Sequence, residues 1–216
     1  TTTIPAHEPA DNSVTLAKIA DGTQGQVLYY GASGAPTLLN HGTSGHFLKT
    51  QGSGANPVWA AAGGGLVKQI QSVSVDQDRS TTSTSRADIT DLTVTVTDLI
   101  SSDKVLLTGV VSLGQGTSTY HSFVHLDRGG TEIGQGASQG SRRRVHTGAN
   151  PTNNVVTGVS INYLDSPSAT GSVVYKVQFS TESSGTAYIN RSGTDTNNNN
   201  YMRAVSTLTA LVIDGS

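Results

Sequence analysis

From residue 66 onward, apolar and polar positions alternate with a period of two, in short runs rich in Val, Ile, Leu, Thr and Tyr. A period of two is the spacing of side chains on one face of a strand, so each run predicts a β-strand. The runs cover 67–75, 89–97, 104–113, 120–127, 131–133, 155–164, 171–181, 187–190 and 202–213. Within 91–97, Leu92, Val94 and Val96 alternate with Thr93, Thr95 and Thr97, which gives one face to a core and the other to water. Turn formers separate the runs at Ser101-Ser102-Asp103, Gly114-Gln115-Gly116, Arg128-Gly129-Gly130, Asp165-Ser166-Pro167 and Ser183-Ser184-Gly185. The expected fold class is all-β, a jelly-roll-like β-sandwich head. The best helical pattern lies at 11–19, where Asp11, Asn12 or Ser13 can cap a turn or two carrying Leu16 and Ile19.

Before residue 66 the pattern changes. Asp21-Gly22-Thr23-Gln24-Gly25-Gln26-Val27-Leu28 aligns with His41-Gly42-Thr43-Ser44-Gly45-His46-Phe47-Leu48, and the match continues through Ser33-Gly34-Ala35 and Ser53-Gly54-Ala55, a period of 20 residues. Each unit offers one apolar pair before a glycine turn (Val27-Leu28, Phe47-Leu48) and another after a proline (Leu38-Leu39, Val58-Trp59). So few apolar side chains cannot form a core by themselves, and two copies make no self-supporting solenoid. Association of identical chains along a common axis is the economical solution. The run Ala60-Ala61-Ala62-Gly63-Gly64-Gly65 suits neither strand nor helix and reads as a linker. The expected organisation is an extended N-terminal arm with two repeats (1–62), a glycine hinge (63–65) and a β-sandwich head (66–216).

Composition narrows the chemistry. Thr, Ser, Gly and Asn account for 92 of 216 residues, and there is no cysteine, so disulfides, thiolate metal sites and cysteine nucleophiles are excluded. Lys and Arg total 13 against 15 Asp and Glu, a formal charge of −2 that argues against a large phosphate-neutralising surface and hence against nucleic acid as a partner. No apolar run approaches membrane-spanning length and no basic-then-apolar segment opens the chain, so neither membrane insertion nor a signal peptide is expected.

Residues Gly42-Thr43-Ser44-Gly45-His46-Phe47-Leu48-Lys49-Thr50-Gln51-Gly52-Ser53-Gly54-Ala55-Asn56-Pro57-Val58-Trp59 resemble the GTxGQFLKTxGxGxxPxW element near the shafts of phage tail-fibre-like proteins, with His46 where Gln is usual. A weaker resemblance, to β-sandwich heads of marine phage structural proteins, runs through Ser102-Asp103-Lys104-Val105-Leu106-Leu107, 124–134, the stretch from Tyr163 to Phe179, and 206–213. The resemblance implies a bacteriophage virion fibre, spike or capsid-decoration protein. It further implies a homotrimer with a jelly-roll-like head, made in the host bacterial cytoplasm and placed on the virion surface. Its partners would be its own copies, the major capsid or tail protein, and a host surface polysaccharide.

Candidate chemistry is sparse. Gly136-Ala137-Ser138-Gln139-Gly140 spells G-x-S-x-G, yet that motif needs a strand before the serine and a helix after it, and here a glycine-rich loop precedes and three arginines follow. His121 and His125 share one face of a predicted strand, spaced about 13 Å apart and too far for one ion within a chain. Three copies around an axis could bring either to a metal, although a hydrogen-bonded or solvent-facing role is the simpler reading. His41 and His46 read as surface or packing residues. The one basic run, Arg142, Arg143 and Arg144, is a solvated loop by default and a contact for an anionic surface, such as phosphate or acidic sugar, as the alternative. Asn197 to Asn200 read as a polar surface tip that cannot bury enough apolar surface to order itself. Tyr120, Tyr163, Tyr175, Tyr188 and Tyr201 read as core or interface residues before sugar-stacking ones.

These residues support no catalytic site, no metal site and no cofactor. The expected function is a non-enzymatic virion structural protein, either a capsid decoration or cement trimer or a short tail fibre with a receptor-binding head. About 20 residues precede the first repeat, little for a tail adaptor and enough for a strap across capsid subunits, which favours decoration. Ile4, Val14, Leu16 and Ile19, spaced along a polar tether with Pro5 and Pro9, are the expected anchors to the particle. From another class, a carbohydrate-binding module or polysaccharide hydrolase is the competing reading, and the absence of a recognisable carboxylate pair weighs against hydrolysis.

Overall fold

The computed structural model describes residues 21–61 and 65–215. The chain divides into two compact units at Gly63/Gly64. The expected helix at 11–19 and the anchors Ile4, Val14, Leu16 and Ile19 lie outside the described residues.

In the first unit each repeat is a β-hairpin. Strand β1 (Val27–Tyr30) pairs antiparallel with β2 (Pro36–Leu39), and β3 (His46–Lys49) pairs with β4 (Val58–Ala61). The two are equivalent residue by residue. Leu28 opposes Leu38 in the first as Leu48 opposes Trp59 in the second, so an offset of 20 on the first strands becomes 21 on the second. The extra residue sits in the hairpin turn. Gly25 and Gly45 share a positive φ of 86° and 85°, and Gly34 and Gly54 of 71° and 79°, which explains why these glycines recur. Gly42 lies so close to the Trp59 ring that a Cβ there would stand 2.6 Å from its Cγ. None of residues 21–61 is buried.

The second unit is a two-layer sandwich. One sheet contains β5 (Val67–Val75), β6 (Arg79–Thr81), β8 (Lys104–Gln115), β12 (Thr157–Asp165), β14 (Ala187–Ile189) and β15 (Ser206–Ile213). Along one side of β8, β15 pairs with 104–110 and β14 with 113–115, while β12 takes the other side. Short β14 therefore continues the line of β15, as β6 continues that of β5, and the sheet has four lines in the order β5/β6, β15/β14, β8, β12. The other sheet contains β7 (Ala87–Leu99), β9 (Ser122–Arg128), β10 (Thr131–Ile133), β11 (Thr147–Ala149) and β13 (Gly171–Thr181), in the order β10/β11, β9, β13, β7. Eight antiparallel lines that cross between two four-line sheets in this sequence form a jelly roll. The fold expectation is met.

Inward residues of both sheets make one core, among them Leu92, Val96, Leu107, Leu113, Leu126, Ile161, Tyr175, Phe179, Ile189 and Leu208. Buried polar groups stitch its rim. Asp165 accepts two hydrogen bonds from Arg128 Nη1 (2.9 and 3.0 Å) and one from the Tyr175 hydroxyl (2.7 Å). Burial, reinforced by Asp165, pushes the Tyr175 phenol far above its ordinary range. At Asp103, burial works to raise the pKa. The Ile100 amide, Lys68 Nζ (2.9 Å) and the Gly215 amide outweigh it and hold the carboxyl below its usual value. Asp103 and Asp165, read from sequence as turn residues, are thus buried structural anions.

Several strand limits are corrected. β7 runs over 87–99 because it bulges at Asp91 and Asp98, both at positive φ (69° and 54°), so the inward phase steps by three from Ile89 to Leu92 and from Val96 to Leu99. The last strand begins at Ser206 rather than at 202. Met202 to Val205 contribute only an isolated bridge, Arg191 to Arg203, beside a loop held by ions. In that loop Asp78 and Asp195 are each shared by Arg191 and Arg203. The expected polar tip at Asn197 to Asn200 is exposed, and it is held by turn hydrogen bonds from the Asn198, Asn200 and Tyr201 amides. The short strands β6 and β11 carry too few apolar residues to show as runs.

Candidate functional site

Alternation along β9 sends Val124 and Leu126 into the core and Phe123, His125 and Asp127 to the outer face of the second sheet. There they meet Ser180 and Gln178 of β13 and Glu132 of β10. His125 is buried, with Nδ1 at 2.6 Å from Glu132 Oε1 and Nε2 at 2.9 Å from Ser180 Oγ. Burial pushes this imidazole below its ordinary pKa, and Glu132 only partly restores it. Arg86 lies 3.7 Å from both Asp127 and Glu132, and Asp127 also accepts from the Gly130 amide at 2.9 Å.

Serine, histidine and glutamate therefore stand in the order of a charge relay. Ser180 is fully buried, so no substrate carbonyl can reach its Oγ. The cluster is a polar joint that ties β9, β10 and β13 together. Sequence reasoning missed it because its members come from three strands, and their only sequence signal is polar residues at positions where a wet face was already expected. With both ring nitrogens engaged, His125 is not available to an axial ion. His121 lies just before β9, with Nδ1 at 2.6 Å from Glu182 Oε2. That contact, with the His121 amide, holds Glu182 below its usual range. Among the described residues no group of three or more His, Asp or Glu is placed to hold a metal.

The loop between β10 and β11 carries the G-x-S-x-G spelling and the three arginines, and no helix follows Ser138. It is pinned by its own backbone, with Gly136 N–H donating to Val145 O (3.2 Å) and His146 N–H to Val124 O (3.0 Å). Arg144 Nε donates to Gly136 O (2.9 Å), and Arg143 Nη1 donates to Thr84 O (2.7 Å) while its guanidinium sits 5.5 Å from the centre of the Phe123 ring. Together His121, Phe123, Ser141, Arg142, Arg143 and Glu182 line an open cleft of about 380 Å³. The structure thus brings the first two residues of the basic run to a cleft, where sequence offered a solvated loop by default and an anionic-surface contact as the alternative.

Of the tyrosines, Tyr175 is core, and Tyr120, Tyr163, Tyr188 and Tyr201 are half-buried. Arg191 stacks 3.9 Å from the centre of Tyr188.

A second surface lies on the outer face of the first sheet. The register aligns Ile70, Leu211, Leu106 and Leu164 in one row across all four lines. Ile70 is 62% exposed and Leu164 49%. The next row is Ser72, Thr209, Thr108 and Asn162, so the apolar row gives way to polar residues on that side.

Comparison with known proteins identifies no matching family model and no matching curated protein. Solved structures with partial likeness include the infectious bursal disease virus VP2 subviral particle (11% identity, TM-score 0.37) and infectious bursal disease virus of the Gx strain (10%, 0.34) and the Gt strain (9%, 0.34). The match covers 84, 83 and 88% of this chain and 48, 43 and 47% of those chains, so this chain spans about half their length.

Proposed function

We propose that the chain is a non-enzymatic structural protein of a virus particle, assembled as a homotrimer through its hairpins and displaying the jelly-roll head on the virion surface. The observation that carries this reading is the hairpin unit itself. It has two well-formed hairpins and no buried residue between 21 and 61, while Tyr30 (75%), Phe47 (63%) and Leu28 (54%) are largely exposed. Isolated two-stranded hairpins are marginal in water, so this surface needs a partner. Copies of the same chain supply one with the same register of apolar pairs. The likeness of 42–59 to a phage shaft element supports a trimer on a phage particle. A capsid decoration or cement role is the favoured placement, with Ile4, Val14, Leu16 and Ile19 as anchors to a capsid protein. The second placement, a short tail fibre with a receptor-binding head, is favoured by the arginine-lined cleft.

Light scattering should give about three times the 22.3 kDa chain mass. Purified particles from cells that make the protein should contain it and bind antibody raised against the head. A folded monomer, or particles without the chain, overturns the proposal. Deleting residues 1–20 should leave a trimer that no longer joins particles, and unchanged occupancy would move the anchor to the head.

A further inference from the structure

The arginines of the described chain fall into two groups. Arg79, Arg86, Arg128, Arg191 and Arg203 each stand within 4 Å of an Asp or Glu. Arg142, Arg143 and Arg144 make no ion pair among the described residues, and their hydrogen bonds go to backbone carbonyls of Gln139, Thr84 and Gly136. A carbonyl accepts a hydrogen bond without neutralising the guanidinium, and Glu182, which Arg143 helps to hold below its usual range, offsets only one of these charges. Two of these cations face one cleft. Arg143 is held in place by Thr84 and Phe123, whereas Arg142 has only a 3.5 Å contact to Gln139 O and keeps nearly all its donors free.

We infer that this cleft binds an acidic saccharide, with Arg142 and Arg143 taking the sugar's carboxylate or sulfate. About 380 Å³ lies within the range of small-ligand sites and accommodates one or two sugar rings. Planar guanidinium donors match a carboxylate or sulfate in bidentate fashion. Phe123 gives the cleft an apolar floor. Ser141 donates and accepts, and Glu182 with His121 offers acceptors and a ring nitrogen to hydroxyl groups. Cleft and loop are already pinned by backbone bonds, so little ordering is lost on binding. This ligand assignment deepens the receptor-binding placement of the head, and its test reads binding by the full chain in solution and not particle composition.

The test is titration calorimetry on the full chain with four probes of matched length: an oligogalacturonate, a dextran sulfate, a neutral dextran and a duplex DNA. One acidic sugar should bind, and whichever of the two binds identifies the anionic group. Arg142→Glu should weaken that binding about tenfold or more, as expected for losing a charged hydrogen bond and adding repulsion. Arg142 holds no element of the fold, so its variant should melt as the parent does. Amide shifts by NMR should centre on Phe123 and Ser141. Equal binding of neutral dextran, tighter binding of DNA, no binding by either acidic sugar, or an unchanged affinity in Arg142→Glu would each overturn the inference. None of these results touches particle composition, so the two readings fail separately.

Discussion

The two units use the same secondary structure to opposite ends. In the head, 23 apolar side chains are buried between two sheets, and the strands are only the means of bringing them there. In the hairpin unit the pairing is as regular and none of residues 21–61 is buried. Backbone hydrogen bonds net little against water, so pairing alone leaves the hairpins without a driving force. Regular structure therefore does not by itself indicate a self-sufficient domain. The head encloses a core of its own, and residues 21–61 enclose none.

The largest expected effect follows directly. A fragment beginning at Leu66 should fold and keep the melting transition of the parent, while a peptide of 21–61 should show no cooperative unfolding at micromolar concentration. Circular dichroism on the two fragments decides this, and a cooperative 21–61 peptide would remove the need for association. Next in size, Phe179→Ala in the head should cost about 3–5 kcal/mol in the unfolding free energy, because it empties the centre of a packed core. The equivalent truncation in the other unit, Leu48→Ala, should leave the head transition in place and instead lower the assembled mass in sedimentation. Equal effects of the two on head melting would mean that the units share a core.

How far each unit could be read from sequence follows the same division. Alternation such as Leu92, Val94, Val96 works where one face is core, and it locates nine of the eleven head strands or their greater part. It fails at Asp91 and Asp98, where a residue at positive φ resets the phase. It fails too at β6 and β11, whose three residues each pair by backbone with little apolar content. The repeat was legible because glycine conformation imposes identity, as Gly25 and Gly45 show. The His125, Glu132 and Ser180 joint was not legible, since cross-strand contacts depend on a register that no single strand encodes. The basic run was visible as charge. Its orientation toward Phe123 is a matter of tertiary placement.

A smaller effect separates the units by pH. His125 is neutral and buried in the head, with Glu132, Ser180, Arg86 and Arg143 around it. Its folded pKa lies below the unfolded value of 6.5, so the unfolded chain takes up the proton more readily. Stability from this group is therefore full above pH 6.5 and declines as pH falls through the folded value. Thermal melts of the head should shift downward between pH 7.5 and 5, and His125→Gln should flatten that part of the profile. If the profile is unchanged in His125→Gln, the imidazole is not the titrating group.

The smallest effect concerns the bulge that sets the phase of β7. Asp91 has φ of 69° in the midst of a strand, a conformation that costs an L-residue of order 1 kcal/mol and costs glycine nothing. Its exposed contact to Arg79 at 3.7 Å offsets little of this. Asp91→Gly gains the relaxed backbone and loses chain entropy of similar size, so its unfolding free energy should stay within about 0.5 kcal/mol of the parent. Asp91→Val keeps a Cβ and adds branching at positive φ, so it should cost about 1–2 kcal/mol. That order, glycine equal to aspartate and both above valine, is the signature of a bulge that the backbone requires. Gly45→Val makes the parallel change in a hairpin, at φ 85°, and should appear only in assembly and leave head melting untouched. If Asp91→Val melts as the parent does, β7 can run straight through residue 91. The step from Ile89 to Leu92 would then reflect packing preference and no backbone constraint.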